Sequence, residues 1–267
     1  MKYCIFLVVT LSLTVSAQSV AFKLRNNYLV VTNCSIADRQ DLVAVIDTGA
    51  SETAMDTKLA KRLRLPLTAD TATFGTGQAA VSTVSIPGLT LGPVHVTQLS
   101  AIAIDGRLVE RQLGVHADII IGMDVLERSS LLIDYKAKTI TFGAAPHLAH
   151  TSPILQGKHL ALVPVLVGNH KLVLQLDTGL NGILIYGSRI DTVLRNLNSS
   201  SKTLVDGTSV QTASETLRIG DWEQRQATIA ITEEQPNDSP FDGLLGPVAM
   251  GAHRLALDWS KGTMSWE

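Results

Sequence analysis

Leu42-Val43-Ala44-Val45-Ile46-Asp47-Thr48-Gly49-Ala50-Ser51 decides the fold, because the chain contains it twice. The second copy is Leu172-Val173-Leu174-Gln175-Leu176-Asp177-Thr178-Gly179-Leu180-Asn181. In each, a short apolar run reads as a buried strand. Asp-Thr-Gly then reads as the turn that ends it, since Asp bonds its own backbone and Gly accepts positive φ. One such turn is unremarkable. Here the two are 177 − 47 = 130 residues apart, and other landmarks recur in the same order. Ile119-Ile120-Ile121-Gly122 corresponds to Gly243-Leu244-Leu245-Gly246, an offset of 246 − 122 = 124. Leu132-Ile133-Asp134-Tyr135 corresponds to Ala256-Leu257-Asp258-Trp259, again offset by 258 − 134 = 124. The chain is two copies of one structural unit.

Outward from these landmarks, each unit reads as mainly β. Short β-branched runs alternate with Gly, Pro, Asn and Asp turns. Segments 163–167 and 171–176, joined by Gly168-Asn169-His170, predict a hairpin leading into the second motif; 28–35 and 42–46 do the same for the first. Short helices are expected over 56–63, 123–128 and 188–197. The expected organisation is a signal peptide over 1–17, a first lobe over 18–145, a connector over 146–156 and a second lobe over 157–267.

Composition narrows the function classes. Of 267 residues, 45% are hydrophobic and 17% charged, enough for a sizeable core, but only 4% are aromatic, so aliphatic residues must fill it. A formal charge of −2 leaves no electrostatic footprint for nucleic acid or an anionic membrane. Lys2, the apolar run 4–15 and Val15-Ser16-Ala17 form a signal-peptide pattern with a cut before Gln18; an uncleaved anchor or a buried first strand are the alternatives. This predicts a secreted or periplasmic protein, with no membrane association once the signal is cleaved. Cys4 would leave with that segment, and Cys34 alone cannot form an internal disulfide.

Two aspartates on matching turns suggest acid–base chemistry. Hydrolysis without a metal or a covalent nucleophile needs one group to activate water and another to protonate the substrate. Two carboxylates sharing a proton do both, because like charges at close range cannot both ionise. Such protons belong to the pair, so neither Asp47 nor Asp177 is assigned as the acid. Gly49 and Gly179 let the backbone approach the carboxylates closely. Thr48 and Thr178 can hydrogen-bond across the interface. Ser51 and Asn181 are positioned to donate to the aspartates from outside.

Asp47-Thr48-Gly49-Ala50-Ser51 resembles the active-site loop of the pepsin and retropepsin superfamily of aspartic peptidases. Asp118-Ile119-Ile120-Ile121-Gly122-Met123-Asp124-Val125-Leu126, followed by Ile133-Asp134-Tyr135, is similar to the end of a retropepsin-type lobe. The resemblance covers nearly all of the chain after the signal pattern and is closest in the first lobe. It implies two retropepsin-like β-barrel lobes related by pseudo-two-fold symmetry within one chain, with Asp47 and Asp177 as the catalytic pair. It also implies a flap closing over an extended peptide. Gly75, Thr76 and Gly77 are the first flap candidate; Asp206 and Gly207 are the second. Leu180-Asn181 departs from the commoner small residue followed by Ser or Asp, and the chain lacks the disulfides and the flap tyrosine of pepsins.

The expected function is therefore aspartic endopeptidase activity on a peptide or protein substrate, by a monomer without metal or cofactor. The alternatives are a non-catalytic peptide-binding protein and a homodimer using only the first motif. His147-x-x-His150 lacks a third ligand and reads as a connector pair rather than a metal site. Gly-x-Ser-x-Gly and phosphate-loop motifs do not occur.

Overall fold

The computed structural model describes residues 18–74, 77–143, 145–189, 202–205, 208–232 and 239–267. It is mainly β, with two closed six-stranded barrels. In the first barrel, Tyr28–Ile36 pairs with Arg39–Ile46, whose end runs parallel to Ile119–Ile121. The next neighbours are Ala54–Asp56, Val94–Ile104 and Gly77–Leu91. Gly77–Leu91 returns to Tyr28–Ile36 through Cys34 opposite Leu91, which closes the barrel.

The second barrel repeats this order and the sense of each pairing. Leu160–Val167 pairs with His170–Leu176, which runs parallel to Gly243–Leu245. Ile183–Tyr186, Trp222–Thr232 and Thr208–Ile219 follow, and the last closes on Leu160–Val167. Closure leaves few exposed edges. The repeat read in the sequence is thus a repeat of topology.

The closing strands of the two units do more than end their own lobes. Leu131–Asp134 pairs antiparallel with Arg254–Asp258, so one sheet joins both halves. Its order is Gln18–Ala21, Thr139–Phe142, Leu131–Asp134, Arg254–Asp258, Thr263–Trp266 and His150–Pro153. The segment expected to be a connector therefore carries the edge strand His150–Pro153, paired with Thr263–Trp266, and a second short strand, Leu155–Gly157. Pro146 and Pro153 hid this from periodicity; Pro153 sits at the strand end, where a missing N–H costs least.

One apolar cluster runs through both barrels and the shared sheet, dominated by Leu, Ile and Val, with Trp266 and Phe142 as its largest fully buried side chains. Cys34 belongs to it, and burial pushes its thiol up to about 12, which keeps it an unreactive apolar filler.

Two of the expected helices are present as Thr57–Arg62 and Met123–Leu126. Of the third, only a 3-10 turn at Gly187–Arg189 is described; 190–197 lie outside the described residues. Gly106–Leu113 is a helix the sequence reading did not anticipate. Its signals are local: Asp105 accepts from the Arg107 N–H as N-cap, and Gly114 ends it at φ +67°.

Candidate active site

Each aspartate stands where a barrel strand ends. The backbone N–H of Asp47 donates to Ile121 at 3.0 Å, and that of Asp177 donates to Leu245 at 2.9 Å. The apolar-apolar-Gly segments therefore hold the strand beneath each carboxylate. The following glycines explain why those segments end as they do. A Cβ on Gly246 would lie 2.0 Å from the Leu180 carbonyl oxygen, and one on Gly122 would lie 2.7 Å from the Glu52 carbonyl carbon. Only glycine lets the segment press on the turn.

Two further acids repeat beneath the turns. Asp118 accepts from the Val43 N–H at 3.0 Å while its own N–H donates to the Val43 carbonyl at 2.8 Å. Asp242 makes the same double contact with Val173, at 2.8 and 2.7 Å. These clamps tie the apolar-apolar-Gly strand to the strand that carries each aspartate.

The turns meet between the lobes. Thr48 N–H donates to Thr178 Oγ1 at 3.1 Å, and Thr178 N–H donates to Thr48 Oγ1 at 3.0 Å. Thr178 Oγ1 in turn donates to the Ile46 carbonyl at 3.2 Å. Both threonines are buried, so this reciprocal bridge is shielded from water. Within each turn the glycine N–H donates back to its aspartate: Gly49 to Asp47 Oδ1 at 2.8 Å, and Gly179 to Asp177 Oδ1 at 2.7 Å. The turns are also close across the interface. A Cβ on Gly49 would lie 2.6 Å from Asp177 Cγ, so a side chain at 49 would collide with the opposite carboxyl.

Proximity and burial move the titration of both groups. Asp47 is pushed up to about 7, first by desolvation and then by the charge of Asp177. Asp177 is also raised by desolvation, opposed by the N–H groups of Gly179 and Leu180. Both shifts favour keeping a proton on the pair. Tyr186 reports the same field: burial first, and then the Asp177 charge, raise its phenol to about 12.

Residues 32–125 match the family model described as aspartyl protease, a segment that includes Asp47-Thr48-Gly49 and ends past Gly122. The match covers most of the first lobe, which is thus similar to an aspartyl-protease domain. The match stops before the second lobe, whose kinship to the first rests on the identical strand order described above. The whole is a two-lobed retropepsin-like fold. No curated protein matches the chain.

The remaining site candidates divide. Ser51 and Asn181 lie exposed on the outer side of their turns, and among the described residues neither side chain hydrogen-bonds to an aspartate. The glycine N–H within each turn, and not these outer side chains, is the donor to each Oδ1. Of the flap candidates, Gly77 opens the long strand Gly77–Leu91 and pairs with Phe74; Gly75, Thr76, Asp206 and Gly207 lie outside the described residues.

Three features around the two aspartate turns were not singled out in the sequence. Thr53 donates to Asp124 through both its N–H, at 3.1 Å, and its hydroxyl, at 2.7 Å. The Tyr28 ring occupies the space beside Gly179, so close that a Cβ there would lie 2.5 Å from it. Gln175, buried at 2% exposure, donates from Nε2 to the Gly49 carbonyl at 2.8 Å. Gln175 did carry a signal: it is the one polar side chain in the run Leu172–Leu176, where the first copy has Val45.

Proposed function

We propose that the chain is an aspartic endopeptidase that hydrolyses peptide bonds of extended polypeptides, with Asp47 and Asp177 acting as one proton-sharing pair. The observation that carries this reading is the reciprocal Thr48–Thr178 bridge, which joins two Asp-Thr-Gly turns from separate barrels into one buried unit. Upward shifts on both carboxyls support it, because such a pair holds one proton while the other group is charged. The charged carboxylate takes a proton from an attacking water. The protonated one supplies its proton to the carbonyl oxygen of the scissile bond. When the tetrahedral adduct collapses, one of its hydroxyls returns a proton to the carboxyl that had given its own away, the proton acquired from water reaches the departing nitrogen as the C–N bond breaks, and the pair is again singly protonated. Holding both carboxyls on rigid barrel strands supplies the orientation that such transfers require.

The same reading makes the working form a monomer, because both turns come from one chain. The signal-peptide pattern at the N-terminus argues for action in the periplasm or outside the cell. The test is cleavage of an unfolded polypeptide by the purified protein at acid pH, with and without a statine-type transition-state inhibitor. Inhibitor-sensitive cleavage within the polypeptide is expected. Peptide binding without cleavage at any pH would replace the enzyme with a non-catalytic peptide-binding protein.

A further inference from the structure

We infer that Gln175 is a positioning residue that tethers the first aspartate turn from the opposite lobe and makes the two turns mechanically unequal. Its effect on turnover rests on the peptidase reading; its effect on the turn does not. Gln175 lies on the strand His170–Leu176, two residues before Asp177. Its side chain does not serve its own turn. Nε2 donates across the interface to the Gly49 carbonyl at 2.8 Å, with a longer 3.4 Å contact to the Thr48 carbonyl. Two carbonyl oxygens facing one amide end can be satisfied only by its NH2 group, which settles the orientation of the amide.

Duplication supplies the internal control. The residue matching Gln175 in the first lobe is Val45, which has no donor and packs in a small apolar cluster with Val30, Val109 and Ala117. No side-chain amide from that position reaches the Thr178 or Gly179 carbonyl. The tether is therefore one-sided.

The tethered atoms border the chemistry. The Gly49 carbonyl, which takes the 2.8 Å bond, shares its peptide group with the Ala50 N–H, and the Thr48 carbonyl, at 3.4 Å, shares its with the Gly49 N–H; both N–H groups face Asp47, the latter bonding Oδ1 at 2.8 Å. The Gly49 backbone also packs directly against the Asp177 carboxyl. A donor on the carbonyl side polarises the N–H on the other side and fixes the plane of the peptide. Gln175 thus reaches both carboxyls through the Gly49 backbone without touching substrate.

Two substitutions test this in the full-length protein. Gln175→Leu keeps the volume and removes the donor. The expected result is a roughly tenfold fall in kcat with KM changed less than about twofold, the size of one lost buried hydrogen bond. Hydrogen exchange at the Gly49 amide should accelerate about tenfold, with Gly179 unchanged. Gln175→Glu should be as impaired as Gln175→Leu at neutral pH, where a carboxylate faces two carbonyls, and should recover activity in acid, where the protonated carboxyl donates again. Wild-type kcat and wild-type Gly49 exchange in Gln175→Leu would overturn the inference. So would equal acceleration at Gly49 and Gly179, or a Gln175→Glu pH profile matching the wild type. If the wild-type protein cleaves nothing, the peptidase reading fails and the exchange measurement alone decides the tether.

Discussion

The two lobes share a strand order but are braced differently, and the contrast separates what the site requires from what one lobe adds. Both have the parallel strand under the aspartate, the clamp of Asp118 or Asp242, and a glycine pressed on the turn. Among the described residues, only the first has a buried polar lock beside the turn, where Thr53 bonds Asp124 and also accepts from the Gly122 N–H at 3.2 Å. The matching residues of the second lobe are Ile183, which is buried, and Val248, which is 57% exposed. There the Gly246 N–H donates to the Gly182 carbonyl instead. The second lobe thus braces its turn through the backbone and lends its spare side chain, Gln175, to the first. The shared features hold the aspartates in place; the private ones set how rigid each turn is.

The largest expected effect comes from breaking the close approach that only Gly49 makes to the opposite carboxyl. Gly49→Ala should abolish measurable turnover, because its Cβ would fall 2.6 Å from Asp177 Cγ. Gly179→Ala meets the Tyr28 ring at 2.5 Å, and a ring can shift more easily than a buried carboxyl. Its loss should be partial, and steady-state kinetics on the two variants would show the order.

Next in size is the private lock. Asp124→Ala removes two charge-assisted acceptors from Thr53 and should cost about 3 kcal/mol of stability. Val248→Asp, its formal mirror, faces solvent and has no threonine partner at 183, so it should stay within about 0.5 kcal/mol of wild type. Chemical denaturation of both variants would measure the difference, and equal costs would break the contrast.

The last effect is on pH dependence, where the titration is shared with Asp177. Asp47 titrates near 7 in the folded protein against an ordinary value of 3.8, so between these values the folded state holds a proton that the unfolded chain has lost. Its contribution to stability is therefore fully present below about 3.8 and fades as pH rises toward 7. Asp47→Asn removes that penalty and should melt higher than wild type at neutral pH, while in acid the two should converge. Wild-type activity should persist over that range and fall as pH rises past about 7, where the folded pair loses the proton it works with. Thermal melts across pH would expose an opposite sign directly.

Much of this was legible in the chain. The duplication, both aspartate turns, the threonines and the apolar-apolar-Gly segments lie in contiguous motifs, where local chemistry dictates structure. The sheet joining Leu131–Asp134 to Arg254–Asp258 was not legible, because pairing between distant strands leaves no periodic mark on either. The helix Gly106–Leu113 escaped because the β pattern before it drew attention from its caps, Asp105 and Gly114. Gln175 was visible only as a polar residue in an apolar strand; its target belongs to the other lobe. Ser51 and Asn181 mark the limit of motif reasoning, since a side chain of suitable type beside a carboxylate still has to face it.

The account stands or falls on whether the two lobes supply one site. The direct measurement is peptide cleavage by Asp47→Asn and Asp177→Asn proteins, each first shown to be folded and monomeric. Asparagine keeps the shape of the side chain and removes its acid–base chemistry. Loss of hydrolysis in both variants is the predicted result. Folded Asp177→Asn protein that cleaves at the wild-type rate would contradict it.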